Sequence, residues 1–256
     1  MSMVELTYSP AAATLTLNRP EQRNALSLDL LSELHERLDE LQDRVGREGD
    51  GGEKGPKVVV LTGAGKSFCA GMDLKQVIDV PGAPLKLLIS LAEAAVKLRM
   101  LPAVTIASVN GAAIGGGCGL ATVCDFAVTH ADSKMGFPEV DLGVCPAVVA
   151  PWLVRKLGAG PARAILLRGG LMSGQEAYEA GLVSGCVEAR DGLDSAVAAL
   201  VESLGGGGAL ALRATKALLN ELDGSSDLEL ARRSARISAD VLTTPEAQAM
   251  LRAKMA

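Results

Sequence analysis

Two glycine-rich segments contain the residues best suited to chemistry. One is SFCAGMDL, residues 67–74, and the other is NGAAIGGGCG, residues 110–119; each follows a predicted buried strand. Glycine at a helix start lets backbone approach a ligand closely, and the N–H groups of the first turn have no partner within the helix. Two such groups converging on a carbonyl oxygen would form an oxyanion hole. The alternative, from spacing alone, is that the glycines only allow tight packing of helix on sheet.

A carboxylate that could move a proton lies further along the chain. Glu139 lies within KMGFPEVDLG, residues 134–143, and Asp141 follows two positions later. If this stretch is extended, the two side chains share one face. A placed carboxylate can act as a general acid or base. Asp141 is therefore a candidate second carboxylate, and the alternative is an ordinary surface charge.

The pattern of the surrounding elements predicts an α/β core. Strands and helices interleave to about residue 187, and helices alone follow. The predicted strands are a hairpin at 6–17 and single strands at 57–62, 104–109, 125–129, 134–137 and 182–187. The predicted helices are 28–44, 85–99, 115–123, 147–157, 161–167, 175–180, 194–204, 209–222, 227–241 and 245–254. Ser27 and Ser173 are candidate N-caps, and residues 46–56 and 79–84 are predicted loops.

Composition argues against several classes of protein. The chain has 256 residues and a net charge of −5, without a long basic run, which disfavours nucleic acid and anionic membranes as partners. Residues 100–124 carry no charge, but Pro102, Asn110 and the following glycines would suit a lipid-facing helix poorly. The N-terminus lacks a basic start followed by an apolar stretch, so we expect no signal peptide. We therefore expect a cytoplasmic protein that binds neither nucleic acid nor membrane.

Other candidate sites carry little weight. The five cysteines form no CxxC pair and are expected to be free thiols. His35 and His130 have no second ligand at metal-binding spacing, which argues against a metal site. There is neither a dinucleotide-binding fingerprint nor a complete phosphate loop. Cys69 and Cys118, within the two glycine-rich segments, are candidate nucleophiles, and the alternative is that they pack in the core.

Taken together, the motifs resemble the crotonase superfamily of enoyl-CoA hydratases and isomerases. The two glycine-rich segments resemble its signature regions, and LTLNRPEQRNAL, residues 15–26, resembles its N-terminal coenzyme A segment. Residues 134–143 resemble its catalytic segment, and residues 161–183 resemble the stretch that follows. The resemblance implies an α/β fold of the ClpP/crotonase type. In it, residues 1–190 form a spiral of ββα repeats with the acyl-CoA site, and residues 191–256 form a helical region for oligomerisation.

The resemblance also implies roles for individual residues. The backbone N–H groups of Met72 and Gly116 would be the oxyanion donors, and Glu139 would be the catalytic carboxylate. The positions matching those that line coenzyme A are Arg23, Ala25, Ala70, Asp73 and Leu74. Coenzyme A would enter as part of an acyl-CoA thioester substrate, with no tightly bound cofactor and no metal. The family further implies a homotrimer or hexamer and a role in fatty acid metabolism.

One position departs from the family pattern. Gly119 stands where many enoyl-CoA hydratases carry another glutamate, so Glu139 would have to carry all the proton transfer. The first hypothesis is an enoyl-CoA hydratase that adds water to a 2-enoyl-CoA through an enolate. The alternatives are an enoyl-CoA delta-isomerase that uses Glu139 alone and a non-catalytic acyl-CoA binding protein. Residues 143–157 resemble both some isomerases and a hydratase–dehydratase branch acting on glutaconyl-type thioesters, and Trp152 within them either lines the acyl pocket or fills the core.

Overall fold

Short strands alternate with helices in this computed structural model, which describes residues 2–46, 55–78 and 80–255. The strands are β1 Val4–Tyr8, β2 Ala13–Leu17, β3 Val58–Gly63, β4 Ser67–Cys69, β5 Val104–Val109, β6 Ala112–Ile114, β7 Phe126–His130, β8 Lys134–Gly136, β9 Leu171–Ser173 and β10 Gly185–Val187. The helices are α1 Leu28–Gly46, α2 Ala83–Met100, α3 Gly116–Val123, α4 Ala150–Leu157, α5 Ala159–Arg168, α6 Gly174–Glu179, α7 Leu193–Gly205, α8 Ala209–Leu222, α9 Leu228–Leu242 and α10 Pro245–Met255. The alternation confirms the α/β prediction.

The strands form two sheets that the chain visits in turn. The larger sheet has the order β1-β2-β3-β5-β7-β10 and the smaller one β4-β6-β8-β9. The β1–β2 hairpin and the β8–β9 pair are antiparallel, and the other neighbours are parallel. Three successive units, β3-β4-α2, β5-β6-α3 and β7-β8-α4, each place one strand in the larger sheet, one in the smaller sheet and then a helix. This is the expected spiral of ββα repeats.

The central strand β3 is apolar on both faces because both faces are covered. Val59 and Leu61 belong to the main core, whereas Val58 and Val60 pack in a second layer beneath α7. Helix α7 contributes the residues Leu193, Val197 and Val201 to that layer. Consecutive buried apolar residues are typical of parallel strands that are covered on both sides. The first helix after residue 190 therefore packs on the larger sheet, and the division of the chain at that residue stays a prediction.

Two predicted caps fix the starts of helices. The N–H of Leu30 donates to Ser27 Oγ at 3.1 Å, in the first turn of α1. Ser173 and Glu176 form a capping box at the start of α6, in which each side chain accepts the other residue's backbone N–H. Because these contacts satisfy N–H groups that have no partner within the helix, they determine where each helix begins. Both cap predictions are confirmed.

Some predictions of strands and helices were wrong, either because an element was missed or because its end was misplaced. Strands β4, β6 and β9 were not expected, the strand expected at 182–187 is confined to Gly185–Val187, and the helix expected from residue 147 begins at Ala150. Within residues 100–124, α2 ends at Met100, and β5, β6 and α3 follow. No individual helix in the described ranges has the length and apolarity to cross a bilayer. One bent pair of helices, Arg190–Gly205 with Ala209–Leu222, reaches that length and apolarity only when the two are counted together. Most of the predicted loop at 46–56, residues 47–54, lies outside the described residues, as does Asp79.

A partly buried ion-pair network ties helix α8 to the core. Asp125 accepts hydrogen bonds from the N–H and the hydroxyl of Thr105 at 2.8 and 2.9 Å. The same carboxylate pairs with Lys216 at 2.8 Å and with Arg99 at 3.2 Å. Arg99 also pairs with Asp223 at 3.0 Å, just after α8 ends. Since Lys216 is only 7% exposed, its charge depends on this carboxylate.

We predict that Asp125→Ala lowers the free energy of unfolding by about 3–5 kcal/mol, because it leaves a buried lysine charge unpaired. Urea denaturation followed by circular dichroism measures this change. Asp39→Ala is the matched control, since Asp39 pairs with the ammonium of Lys97 at 2.6 Å on the exposed surface. That pair should contribute at most about 1 kcal/mol. Equal effects of the two substitutions would contradict a stabilising role for the network.

Candidate active site

The two glycine-rich segments meet at one cavity of about 110 Å³. Five of the predicted site residues line it: Ala70, Met72, Leu74, Gly116 and Glu139. Most of the remaining wall is apolar and comes from α2, α10 and the stretch between Glu139 and α4: Leu88, Leu91, Leu142, Val144, Pro146, Val148, Val149 and Leu251. The structure thus brings the predicted oxyanion donors and the predicted carboxylate to the same space.

The two segments approach each other because β4 and β6 are parallel neighbours in the smaller sheet. A Cβ atom on Gly71 would lie 2.7 Å from the carbonyl oxygen of Ile114 and 4.0 Å from the nitrogen of Gly116. Gly71 also has a φ of +87°, which glycine adopts without strain. Only glycine therefore lets the backbone at Met72 come this close to the start of α3.

The N–H groups of Met72 and Gly116 donate no hydrogen bond within the described residues. Each has a local reason to be free. Leu26 donates its N–H to the carbonyl oxygen of Gly71, and its own carbonyl oxygen accepts the N–H of Asp73. The N–H of Met72, between these two residues, therefore takes no part in the pairing. Gly116 is the first residue of α3, where no helical carbonyl lies one turn earlier. Two unused backbone donors therefore lie on adjacent segments at one cavity.

The carboxyl group of Glu139 is buried beside Gly115. A Cβ atom on Gly115 would lie 2.9 Å from Glu139 Oε1, so the absence of a side chain makes room for the carboxyl group. Oε2 of Glu139 is buried with no hydrogen-bond partner among the described residues. Burial raises the pKa of Glu139 to about 7, against a smaller lowering by its own backbone N–H. The group can therefore both accept and release a proton near neutral pH.

The place where a second carboxylate would stand is filled by Val149. A Cβ atom on Gly119 would lie 2.5 Å from Val149 Cγ1, so any larger residue would require Val149 to move. Gly119 is itself buried within α3. Among the described residues that line the cavity, Glu139 is the only carboxylate.

Asp141 does not act as a second carboxylate at this cavity. Residues Val140–Leu142 form a turn of 3₁₀ helix, so the extended geometry that would put Asp141 and Glu139 on one face is absent. Asp141 is exposed, and its Oδ2 accepts the N–H of Gly170 at 2.7 Å. The side chain therefore holds the turn before β9.

Three predicted coenzyme A positions, Arg23, Ala25 and Asp73, do not line the cavity but lie next to residues that do. The N–H of Ala70 donates to the carbonyl oxygen of Arg23 at 3.0 Å. The guanidinium of Arg19 donates to the carbonyl oxygen of Ala25 at 2.7 Å and pairs with Asp73 at 3.3 Å. Arg23 is exposed, Ala25 and Asp73 are half-buried, and none of the three contacts the cavity.

Asn24 is a positioning residue that the sequence analysis missed. Its Oδ1 accepts the N–H of Arg19 at 2.8 Å, and its side-chain amide donates to the carbonyl oxygens of Ala64, Ser67 and Phe68. Asn24 is fully buried with a φ of +56°, a left-handed conformation that asparagine tolerates better than most residues. It fixes the turn that leads into β4. The available signal was an asparagine between polar residues and an apolar run, which is a common turn pattern.

This chain is similar to known proteins over most of its length. The family model for enoyl-CoA hydratase/isomerase matches residues 8–250. The chain belongs to this family. It is 32% identical to the crotonyl-CoA hydratase of Syntrophomonas wolfei over 212 residues, which cover 82% of this chain and 78% of that protein. It is also 32% identical to an enoyl-CoA hydratase of Alternaria alternata over 226 residues, covering 87% and 72% of the two chains. The crystal structure of an enoyl-CoA hydratase from Mycobacterium avium matches with a TM-score of 0.84 and 30% identity over 100% of this chain and 96% of that one.

Of the other reactive side chains of this crotonase-family chain, Cys145 lines the cavity, and burial raises the pKa of its thiol. All five cysteines are free, as predicted. Burial raises the pKa values of Cys69 and Cys118 to about 12, so these thiols stay protonated and pack in the core. Trp152 lies outside the cavity, with the guanidinium of Arg155 4.9 Å above its ring. No group of three or more His, Cys, Asp or Glu side chains in the described part of the chain is arranged to hold a metal ion.

We predict that Gly115→Ala lowers kcat with a 2-enoyl-CoA by about 10²-fold, because the new methyl group displaces the Glu139 carboxyl group. Gly82→Ala is the control: Gly82 has a φ of +76°, similar in sign to the +53° of Gly115, but no heavy atom within 4 Å of the added Cβ. Both substitutions strain the backbone, and only one affects the carboxyl group. Equal loss of activity in the two variants, measured by steady-state kinetics, would contradict this role of Gly115.

Proposed function

We propose that this chain is an enoyl-CoA hydratase that adds water across the double bond of a 2-enoyl-CoA thioester. The observation that carries the proposal is a buried carboxyl group, Glu139, in the same cavity as two unused backbone donors. Its pKa of about 7 suits proton transfer in both directions at neutral pH. The hydratase names of the relatives from Syntrophomonas wolfei and Alternaria alternata support the same reaction.

In the proposed mechanism, the thioester oxygen accepts hydrogen bonds from the N–H groups of Met72 and Gly116. Negative charge grows on this oxygen as an enolate forms, and donors fixed in advance stabilise it without rearranging. The start of α3 adds a partial positive charge from the helix dipole. Glu139 takes a proton from water while the hydroxyl oxygen bonds to the β-carbon. The carboxyl group then returns that proton to the α-carbon, so the net change is addition of one water molecule.

We propose that Arg23, Ala25, Ala70, Asp73 and Leu74 bind the coenzyme A part of the substrate. Ala70 and Leu74 line the cavity, and the exposed guanidinium of Arg23 can contact phosphate oxygens in a planar, bidentate manner. Because donors and base are both supplied by the chain, the reaction needs no tightly bound cofactor. The free cysteines are typical of a reducing compartment, and we place the reaction in cytoplasmic fatty acid metabolism.

Isomerisation is the second candidate, because one carboxyl group suffices for it and Val149 occupies the space for another. A delta-isomerase takes a proton from one carbon of a 3-enoyl-CoA and returns it to another. Ultraviolet absorbance separates the possibilities. Crotonyl-CoA loses its conjugated absorbance if the enzyme is a hydratase, and a 3-enoyl-CoA gains it if the enzyme is an isomerase. Saturable binding without either change would mean a non-catalytic acyl-CoA binding protein.

We predict that Glu139→Gln lowers kcat by about 10²- to 10⁴-fold while the dissociation constant for an acyl-CoA stays nearly unchanged. In the unmodified enzyme, log(kcat/KM) should fall below about pH 7, because the carboxyl group then becomes protonated and cannot accept a proton from water. That acidic limb should disappear in the variant. Asp141→Asn is the control and should keep near-normal turnover. Normal turnover by Glu139→Gln would show that another group moves the proton.

We also propose that the chain forms a homotrimer, or a hexamer made of two trimers, through its C-terminal helical region, residues 191–256. Helix α8 carries exposed leucines on its surface: Leu210, Leu218, Leu219 and Leu222. Exposed apolar surface of this kind is typical of contacts between subunits. The buried residues Lys216 and Asn220 hold the other face of α8 on the core, which keeps the leucines facing outwards.

Sedimentation velocity at micromolar concentration should therefore give the mass of a trimer or hexamer. We predict that Leu222→Lys, at a position 74% exposed, shifts the mass towards the monomer because it places a charge in an apolar contact. Leu167→Lys is the matched control, since Leu167 on α5 is 71% exposed and lies outside that region. A stable monomer in the unmodified protein would contradict the proposed assembly.

A further inference from the structure

The two last helices complete the wall of the acyl cavity. Ser238 of α9 and Leu251 of α10 line the same cavity as Glu139. The side chain of Leu251 is completely buried. Helix α10 packs against the short turn Val140–Leu142 that directly follows Glu139. The C-terminal helices therefore form part of the site as well as of the proposed subunit contacts.

The packing of these helices on the catalytic segment leaves little space between them. A Cβ atom on Gly143 would lie 2.7 Å from Met250 Sδ and 3.3 Å from the Cα atom of Ala247. On α9, the hydroxyl of Ser238 donates to the carbonyl oxygen of Cys145 at 2.7 Å and accepts the N–H of Ala147 at 3.1 Å. The stretch between Glu139 and α4 is thus held from both helices, so this part of the cavity wall cannot move outwards without displacing their side chains.

The wall of the cavity is mostly apolar. It consists mainly of leucine, valine and proline side chains, and no lysine, arginine or histidine lines it among the described residues. A charged group at the far end of an acyl chain would be buried there without a partner, which is strongly unfavourable. The cavity therefore fits acyl chains that are apolar to their end.

We infer that Leu251 sets the maximum length of the acyl chain, and that the enzyme acts on short, uncharged acyl groups. This inference rests on the proposed acyl-CoA function. Leu251 is the side chain through which α10 lines the cavity, and α10 carries neither the oxyanion donors nor the base. Shortening it enlarges the cavity and leaves Met72, Gly116 and Glu139 in place.

The test is the ratio of kcat/KM for 2-decenoyl-CoA to that for crotonyl-CoA. Leu251→Ala should raise this ratio at least about tenfold, since one or a few methylene groups in an apolar pocket change specificity by that factor or more. Leu251→Met, which conserves volume, should leave the ratio unchanged. Leu242→Ala is the matched control, because Leu242 on α9 is equally buried but does not line the cavity. Leu251→Val replaces the alanine variant if that one does not fold.

The inference is overturned if a folded Leu251→Ala keeps the original ratio, or if Leu242→Ala changes the ratio as much. It is also overturned if the unmodified enzyme uses 2-decenoyl-CoA, or glutaconyl-CoA, as well as crotonyl-CoA. Calorimetry with butyryl-CoA and decanoyl-CoA measures the chain-length preference of the same variants in binding, without catalysis. If no enoyl-CoA is turned over but the binding preference shifts in Leu251→Ala, the proposed reaction is wrong and the assignment of Leu251 stands. If turnover occurs but neither the kcat/KM ratio nor the binding preference changes in Leu251→Ala, the proposed reaction stands and the assignment of Leu251 is wrong.

Discussion

The site depends on two stretches of backbone that come closer together than side chains would allow. A Cβ atom on Gly117 would lie 2.4 Å from the carbonyl oxygen of Cys69, and one on Gly71 would lie 2.7 Å from that of Ile114. The parallel pairing of β4 with β6 brings these stretches together, and the missing side chains let them touch. Met72 and Gly116, whose N–H groups donate no hydrogen bond among the described residues, then line one cavity. Gly115, on the same stretch, makes room for the Glu139 carboxyl group.

Burying that carboxyl group links the stability of the fold to pH. Desolvation raises the pKa of Glu139 from its ordinary value of 4.5 to about 7, so the folded chain holds this proton more tightly than the unfolded chain does. With respect to this group the fold is most stable below about pH 4.5, and it loses stability as the pH rises through about 7 and the buried carboxyl group ionises. A difference of this size corresponds to about 3 kcal/mol at alkaline pH. The chain thus keeps a destabilising group where its acid–base chemistry is needed.

Sequence patterns predicted the longer elements because those patterns extend over several residues. Residues 104–109 were predicted to the residue, since an apolar run is bounded there by a proline and an Asn-Gly pair. The three-residue strands β4, β6 and β9 are too short to show alternation. The candidate site came from glycine spacing and family resemblance, which indicated Met72, Gly116 and Glu139. The contacts of Val149 and Leu251 could not be predicted, because they depend on how distant helices pack against the cavity.

The participation of α10 in the cavity bears on how the protein is made. The cavity wall runs from Ala70 to Leu251, and therefore draws on segments from most of the chain. Ribosomes release a chain from its N-terminus, so earlier segments are free to fold before later ones emerge. The glycine-rich segments and Glu139 leave the exit tunnel well before α10 does. A nascent chain therefore carries the residues Met72, Gly116 and Glu139 before α10 can complete the wall of their cavity.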